Sequence, residues 1–147
     1  MAEIVVTRIF DAPRERVWRA WTQPAEIARW WGKRGWTTPP DSVTMDVRPG
    51  GEFSLLSVSD EDGSEMRLDT TYREIVEPER LVFTHAWEDE NGKPGLETLV
   101  TVTFAEQGGR TTMHFHQATF ENKASRDGHA DGWSSSFERL AEYLATL

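Results

Sequence analysis

The sequence contains no cysteine, and that absence excludes several kinds of site. Without thiols the chain forms no disulfide, holds no iron–sulfur cluster or cysteine-ligated zinc, and has no thiol nucleophile. Long apolar runs are missing too, since none approaches the roughly 18 residues of a membrane-spanning helix. The first residues also lack the basic and then apolar segments of a secretory signal. We therefore expect a cytoplasmic protein that does not insert into membranes.

Positive charge is scarce, whereas aromatic residues are abundant. Sixteen Lys and Arg residues stand against 25 Asp and Glu, which gives a formal net charge of −9. Such a field repels phosphate backbones, so we expect no nucleic-acid partner. The chain has seven Trp and seven Phe, and each ring can bury about 150–250 Å². A chain of 147 residues has the size of one ordinary domain, so we predict a single domain over residues 1–147.

The N-terminal part predicts a strand followed by two short helices. Residues 3–10 are rich in β-branched side chains, which favour a strand. Asp11 is placed to cap a helix over Pro13 to Trp21. A second helix is predicted over Pro24 to Trp31, ended by a glycine.

The remainder of the chain predicts a sheet and then a long helix. Strands are predicted over residues 43–48, 52–59, 65–76, 81–87, 96–105 and 110–120. Hairpin turns are predicted at Gly50-Gly51, Asp62-Gly63, Asn91-Gly92 and Gly108-Gly109. After residue 120 the apolar period becomes helical, with the stripe Trp133, Phe137, Leu140, Ala141 and Leu144. The prediction is an α+β fold of six or seven strands, in which a strongly bent antiparallel sheet grips a C-terminal helix ending near Ala145.

Several segments together resemble a known family. They are FDAPRERVWRAWTQPAEIARWWG, MDVRPGGEF, YREIVEPERLVFTHAW, VTVTF, GGRTTMHFHQATF and HADGWSSSFERLAEYL. In this order the chain resembles the activator of heat-shock protein 90 ATPase homologue 1-like family, of the START-like (SRPBCC, Bet v 1-like) helix-grip superfamily. The resemblance implies a cavity between sheet and C-terminal helix, and a bacterial source. The eukaryotic co-chaperone of this family is similar to the present chain only in its C-terminal domain.

Inward-facing aromatic and apolar residues are the first candidates for lining that cavity. The strand and helix phases bring nine of them to the space between sheet and helix: Phe53, Leu55, Tyr72, Phe83, Trp87, Met113, Phe115, Trp133 and Phe137. These side chains either line a pocket or fill it as solid core. For Trp18, Trp21, Trp30 and Trp31 we favour packing in the core or at the cavity mouth over ligand contact.

Three polar residues are further cavity candidates. Alternation from Phe83 puts His85 on the same face as aromatic residues, so it is either a titratable group in the cavity or a hydrogen-bonded core histidine. His129 lies one helical turn before Trp133 and could contact a ligand or stay on the helix surface. Gln117 follows Met113 and Phe115 at the strand period and could offer its amide.

No metal or cofactor site is predicted. His114 and His116 share a strand face, but it is the solvated one and offers no third ligand. The acidic loop 59–63 lacks the ligand spacing of an EF-hand. No nucleophile elbow or Ser-His-Asp pattern is visible.

Three functions remain open at the level of sequence. The first is binding of a hydrophobic or aromatic small molecule between the sheet and the C-terminal helix. The second is an enzyme of polyketide cyclase, aromatase or hydrolytic type that uses the same cavity, with His85 or Tyr72 moving protons. The third is a chaperone-interacting module. A homodimer is left open as well.

Overall fold

The computed structural model describes residues 2–87, 97–120 and 122–146, with the side chains of Ala2 and Trp87 left aside. Its strands are β1 (Ala2–Phe10), β2 (Trp36–Thr37), β3 (Thr44–Met45), β4 (Glu52–Ser59), β5 (Glu65–Val76), β6 (Arg80–Trp87), β7 (Thr98–Gln107) and β8 (Arg110–Phe120). Its α-helices are α1 (Arg14–Thr22), α2 (Pro24–Ile27) and α3 (Lys123–Ala145), and a 3-10 turn covers Pro40–Ser42.

The strands form one antiparallel sheet that curves around α3. Their order is β1-β8-β7-β6-β5-β4-β2, and β3 also pairs with β4. The apolar face of the sheet packs against α3, where the ring of Phe115 lies 5.2 Å from that of Phe137. The α+β helix-grip architecture predicted from the sequence is therefore confirmed.

The sheet has eight strands rather than six or seven. The additional strand is the two-residue β2, which pairs with the end of β4. The predicted strand over residues 43–48 shrinks to β3, because the chain turns tightly straight after it. There Arg48 N donates to Asp46 O, and a Cβ on Gly51 would lie 1.9 Å from that same carbonyl oxygen. Only glycine fits so close to the backbone at residue 51. The predicted Asn91-Gly92 turn lies outside the described residues.

The second N-terminal helix is much shorter than predicted. It ends at Ile27, and residues 28–30 continue in turns. A tertiary contact accounts for the difference, because the indole of Trp30 donates to the carbonyl of Ala20 on α1 at 3.0 Å. The predicted cap by Asp11 is also wrong. Pro13 occupies the N-cap of α1 without a side-chain bond, and the Asp11 carboxylate lies 3.7 Å from Arg110.

Aromatic rings fill the interior, which explains the high tryptophan content. Trp21 is 1% exposed, and its ring lies within 6.4 Å of six other aromatic rings. Leu140 and Leu144 of the predicted α3 stripe are buried, whereas Ala141 is exposed, contrary to expectation. The core therefore includes α1, the second half of α3 and the inner face of the sheet.

Candidate functional site

A pocket of about 420 Å³ opens between the first half of α3, the segment 31–36 and the inner face of β4, β5 and β6. It is lined by Trp31, Gly32, Lys33, Trp36, Ser57, Met66, His85, Ala124, Ser125, Gly128, His129, Gly132, Trp133 and Ser136. Most of this lining is apolar or aromatic, with a few polar atoms. That composition is typical of small-molecule sites.

Two tryptophans form the aromatic wall of the pocket. The rings of Trp31 and Trp133 meet at 4.9 Å and 84°, so the edge of one ring meets the face of the other. On the core side, the ring of Trp133 packs on that of Phe115 at 4.5 Å and stacks on that of Phe137 at 5.5 Å. The wall is therefore backed by buried core and presents a fixed apolar surface.

Small residues on α3 leave space beside this wall. Ala124, Gly128, Gly132 and Ser136 follow one another at four-residue intervals and so share one helix face. A Cβ added at Gly128 or Gly132 would meet no atom within 4 Å. Larger side chains at these positions would occupy the pocket.

The segment that carries Trp31 and Trp36 is held to the second half of α3 by Arg139. One guanidinium nitrogen, Nη1, donates to the carbonyl oxygens of Trp31 at 3.2 Å, Gly32 at 2.9 Å and Trp36 at 3.4 Å. In addition, Gly32 N donates to Ser136 Oγ at 3.0 Å. The side chain of Arg139 thus stabilises the rim of the pocket through hydrogen bonds to three backbone carbonyls.

A pair of histidines lies at the inner part of the pocket. His85 is 3% exposed, and its ring lies 5.7 Å from that of His129 and 5.8 Å from that of Trp133. Burial lowers the pKa of His85 from its ordinary 6.5 to about 3, and the neighbouring His129 adds to the effect. Nδ1 of His129 donates to the carbonyl of Ser125 at 2.8 Å. His85 is therefore a neutral imidazole at physiological pH.

A buried chain of hydrogen bonds fixes the Trp133 indole. Its Nε1 donates to Oε1 of Gln117 at 2.7 Å, and Nε2 of Gln117 donates to Oγ1 of Thr98 at 2.8 Å. Thr98 in turn donates to the carbonyl of His85 at 3.2 Å. The indole of Trp133 and the backbone beside His85 are thus connected through two β-strands.

One polar atom in the pocket wall lacks such a partner. Ser57 is 4% exposed, and its Oγ makes no hydrogen bond with any residue in the described part of the chain. An unsatisfied buried hydroxyl costs about 1–3 kcal/mol. Ser57 therefore has an unused donor and acceptor beside the pocket.

The structure divides the predicted cavity residues into two groups. His85, His129 and Trp133 line the pocket. The others are buried in the core and stand outside its lining: Phe53, Leu55, Tyr72, Phe83, Met113, Phe115, Gln117 and Phe137. Gln117 holds Trp133 from behind, and burial raises the pKa of Tyr72. The side chain of Trp87 lies outside the described residues.

Sequence reasoning did not select several lining residues, among them Gly32, Lys33, Trp36, Ser57 and Met66. For Trp31 the sequence favours packing in the core or at the cavity mouth, and the structure places it in the pocket lining. Ser57 could have been found by continuing the alternation from Phe53 and Leu55. The small residues at four-residue spacing on α3 were a second usable signal.

The outer face of the sheet is built differently. His114 lies 3.0 Å from Thr7 Oγ1, and His116 lies 3.0 Å from a Glu3 carboxylate oxygen. Within residues 2–87, 97–120 and 122–146, no three His, Asp or Glu side chains are grouped to hold a metal ion. No helix of the described chain is long and apolar enough to cross a bilayer.

A curved antiparallel sheet closed over a long helix, with a pocket at one end, defines a helix-grip protein. Residues 11–145 match the family described as activator of Hsp90 ATPase homolog 1-like protein, and the chain belongs to that family. Among curated proteins, none matches it significantly.

Solved bacterial structures share this fold. The AHSA1 protein of Silicibacter pomeroyi is 24% identical, with a TM-score of 0.89 over 99% of both chains. A Chromobacterium violaceum protein is 24% identical, with a TM-score of 0.86 over 95% of this chain and 94% of its own. An Arthrobacter aurescens protein is 26% identical, with a TM-score of 0.86 over 99% of this chain and 87% of its own.

Proposed function

We propose that this protein binds an apolar or aromatic small molecule in the pocket between the sheet and α3. The observation that carries the proposal is the pocket itself, about 420 Å³ with an aromatic wall. Small-molecule sites are typically apolar concavities of about 300–1,000 Å³ with a few polar groups. The pocket has both properties.

The rigidity of the wall supports the same proposal. Trp133 is fixed by its bond to Gln117 and by two neighbouring rings, so little side-chain entropy would be lost when a ligand packs on it. Gly128 and Gly132 leave open space on the pocket side of α3. A flat ligand could enter without a change in the core.

Calorimetric titration with naphthalene and 2-naphthol tests the proposal. We expect heat of binding to wild type and a raised melting temperature, since a ligand that binds the native state stabilises it by RT ln(1 + [L]/Kd). Gly132→Leu should abolish binding because its side chain fills the pocket. The helix itself should tolerate the change, since leucine favours helix over glycine.

Ala141→Leu is the matched control, because it adds the same side chain to an exposed position of the same helix. It should bind both probes as wild type does. Absence of binding by wild type, or equal binding by Gly132→Leu, would contradict the proposal.

A proton-transfer enzyme that uses the same pocket is a second candidate, favoured by the His85–His129 pair. A neutral imidazole beside a bound substrate can act as a general base. Hydrolysis of 2-naphthyl acetate tests this function. If His85 is the base, His85→Gln should lower turnover by about 10²- to 10⁴-fold. Wild-type turnover no faster than the uncatalysed rate would contradict the enzymatic function, and ligand binding would then be the only proposed function.

A further inference from the structure

The hydroxyl of Ser57 points to the chemistry of the ligand. Ser57 follows Phe53 and Leu55 on the inner face of β4, and of these three residues Ser57 alone lines the pocket. Its Oγ is buried and has no partner among the described residues. Buried polar groups are nearly always hydrogen-bonded in folded proteins. A ligand group that bonds to this hydroxyl would remove the penalty.

The charge of the lining argues for an uncharged ligand. Among the described residues that line the pocket, Lys33 is the only Lys or Arg, and its side chain is exposed. His85 is neutral because burial and the neighbouring His129 hold its pKa at about 3. A carboxylate bound beside His85 would lose its hydration without gaining a buried Lys or Arg as its counter-charge. A neutral polar group avoids that cost.

The form of the wall argues for a flat ring. Trp31 and Trp133 meet almost at right angles, so a planar ligand could stack on one ring and meet the edge of the other. Met66 adds a flexible apolar side chain that can adapt to a ring edge. An aromatic ligand can contact Trp31, Trp133 and Met66 at the same time.

We propose that the pocket selects an uncharged aromatic molecule bearing a hydroxyl group, which bonds to Oγ of Ser57. The inference rests on the proposed ligand binding and adds the class of ligand. A hydroxyl suits Ser57 because each hydroxyl can both donate and accept. The uncharged ring of His85 lines the same pocket as Ser57.

The test compares three bicyclic probes by calorimetry at pH 7: naphthalene, 2-naphthol and 2-naphthoate. Wild type should bind 2-naphthol about 3- to 10-fold more tightly than naphthalene, the value expected for one net hydrogen bond. The 2-naphthoate anion should bind most weakly. Ser57→Ala should bind naphthalene and 2-naphthol with equal affinity, whereas its affinity for naphthalene should equal or exceed that of wild type.

Ser54→Ala is the matched control. Ser54 lies in the same strand, is fully buried and also has an Oγ without a partner in the described chain, but it does not line the pocket. This variant should keep the preference for 2-naphthol. Melting curves of both variants show whether each is folded, so a loss of preference cannot be mistaken for unfolding.

The possible results separate the two proposals. If no probe binds wild type, ligand binding fails and the selectivity fails with it. If wild type binds naphthalene and 2-naphthol equally, ligand binding stands and the role of Ser57 is overturned. A preference that survives in Ser57→Ala, or tighter binding of 2-naphthoate than of 2-naphthol, also overturns the inference.

Discussion

At the scale of single residues, His85 has the most unusual environment of the pocket. It is 3% exposed and faces a second imidazole and an indole. Charging the ring would place a cation in an apolar space beside His129. The low pKa of His85 follows mainly from this burial, and it makes the folded state sensitive to acid.

We predict that His85 makes stability fall as the pH falls below about 6.5. The unfolded chain takes up a proton there near pH 6.5, whereas the folded chain does so only near pH 3. Between these values protonation favours unfolding, by about 1.4 kcal/mol per pH unit. The free energy of unfolding should be measured with urea at pH 6.5, 5.5 and 4.5. Its slope against pH should be smaller in His85→Gln than in wild type, by the amount that corresponds to one proton.

His114→Gln is the control for this experiment, because it removes an exposed imidazole from the outer face of the sheet. It shows what the loss of an imidazole away from the pocket does to the urea midpoint. An unchanged slope in His85→Gln would mean that the His85 ring is not buried in solution.

At the scale of elements, α3 has two different halves. The first half presents small residues to the pocket, and the second half buries Phe137, Leu140 and Leu144 in the core. Trp133 lies at the junction and belongs to both. The helix is therefore anchored mainly from its middle to its C-terminus.

We predict that Phe137→Ala and Trp133→Ala each lower the free energy of unfolding by about 3–5 kcal/mol. Both side chains are at least 95% buried, and removal of a large aromatic leaves a cavity that relaxes only partly. The urea midpoint should fall with an unchanged m-value. A loss under about 1 kcal/mol for both variants would contradict the packing of α3 on the sheet.

Arg139 gives a second prediction at this scale. Lysine cannot reproduce a planar guanidinium that gathers several carbonyls. Arg139→Lys should therefore cost about 2 kcal/mol. It should also weaken binding of 2-naphthol, because the segment with Trp31 and Trp36 loses its support. Arg34→Lys, which changes an exposed ion pair with Glu142, should leave both properties unchanged.

The elements differ in how far the sequence determines them. Strand alternation is a local property, and the bounds of β4, β5 and β8 were predicted to the residue. The end of α2 was not, because it depends on the bond between Trp30 and Ala20. That contact joins the turn after α2 to α1 and leaves no periodic signal in the sequence.

The pocket is predictable only in part for a similar reason. Alternation correctly put His85 on the inner face, and helical spacing put His129 on the same side as Trp133. Whether an inward aromatic lines a pocket or fills the core depends on its neighbours in three dimensions. The ring of Trp133 packs over Phe115 and Phe137 and separates them from the pocket. The alternation of apolar residues in the sequence does not predict this contact.

At the scale of the whole molecule, the dominant feature is the net charge of −9. It repels nucleic acids at long range. We predict that fluorescence anisotropy with labelled 30-residue DNA or RNA shows no binding at physiological salt. Affinity in the micromolar range or tighter, with a strong dependence on salt, would contradict this expectation.

The two glycines on the pocket side of α3 affect how the helix opens. Each weakens the helix by about 1 kcal/mol relative to alanine, and both lie in the half with little packing. Backbone amides near Gly128 and Gly132 should therefore exchange with deuterium sooner than those near Leu140. A bound ligand would pack against the first half of α3 and slow deuterium exchange of the amides in that half only. Pocket occupancy could then be measured from the exchange rates of half a helix, with the other half as an internal reference.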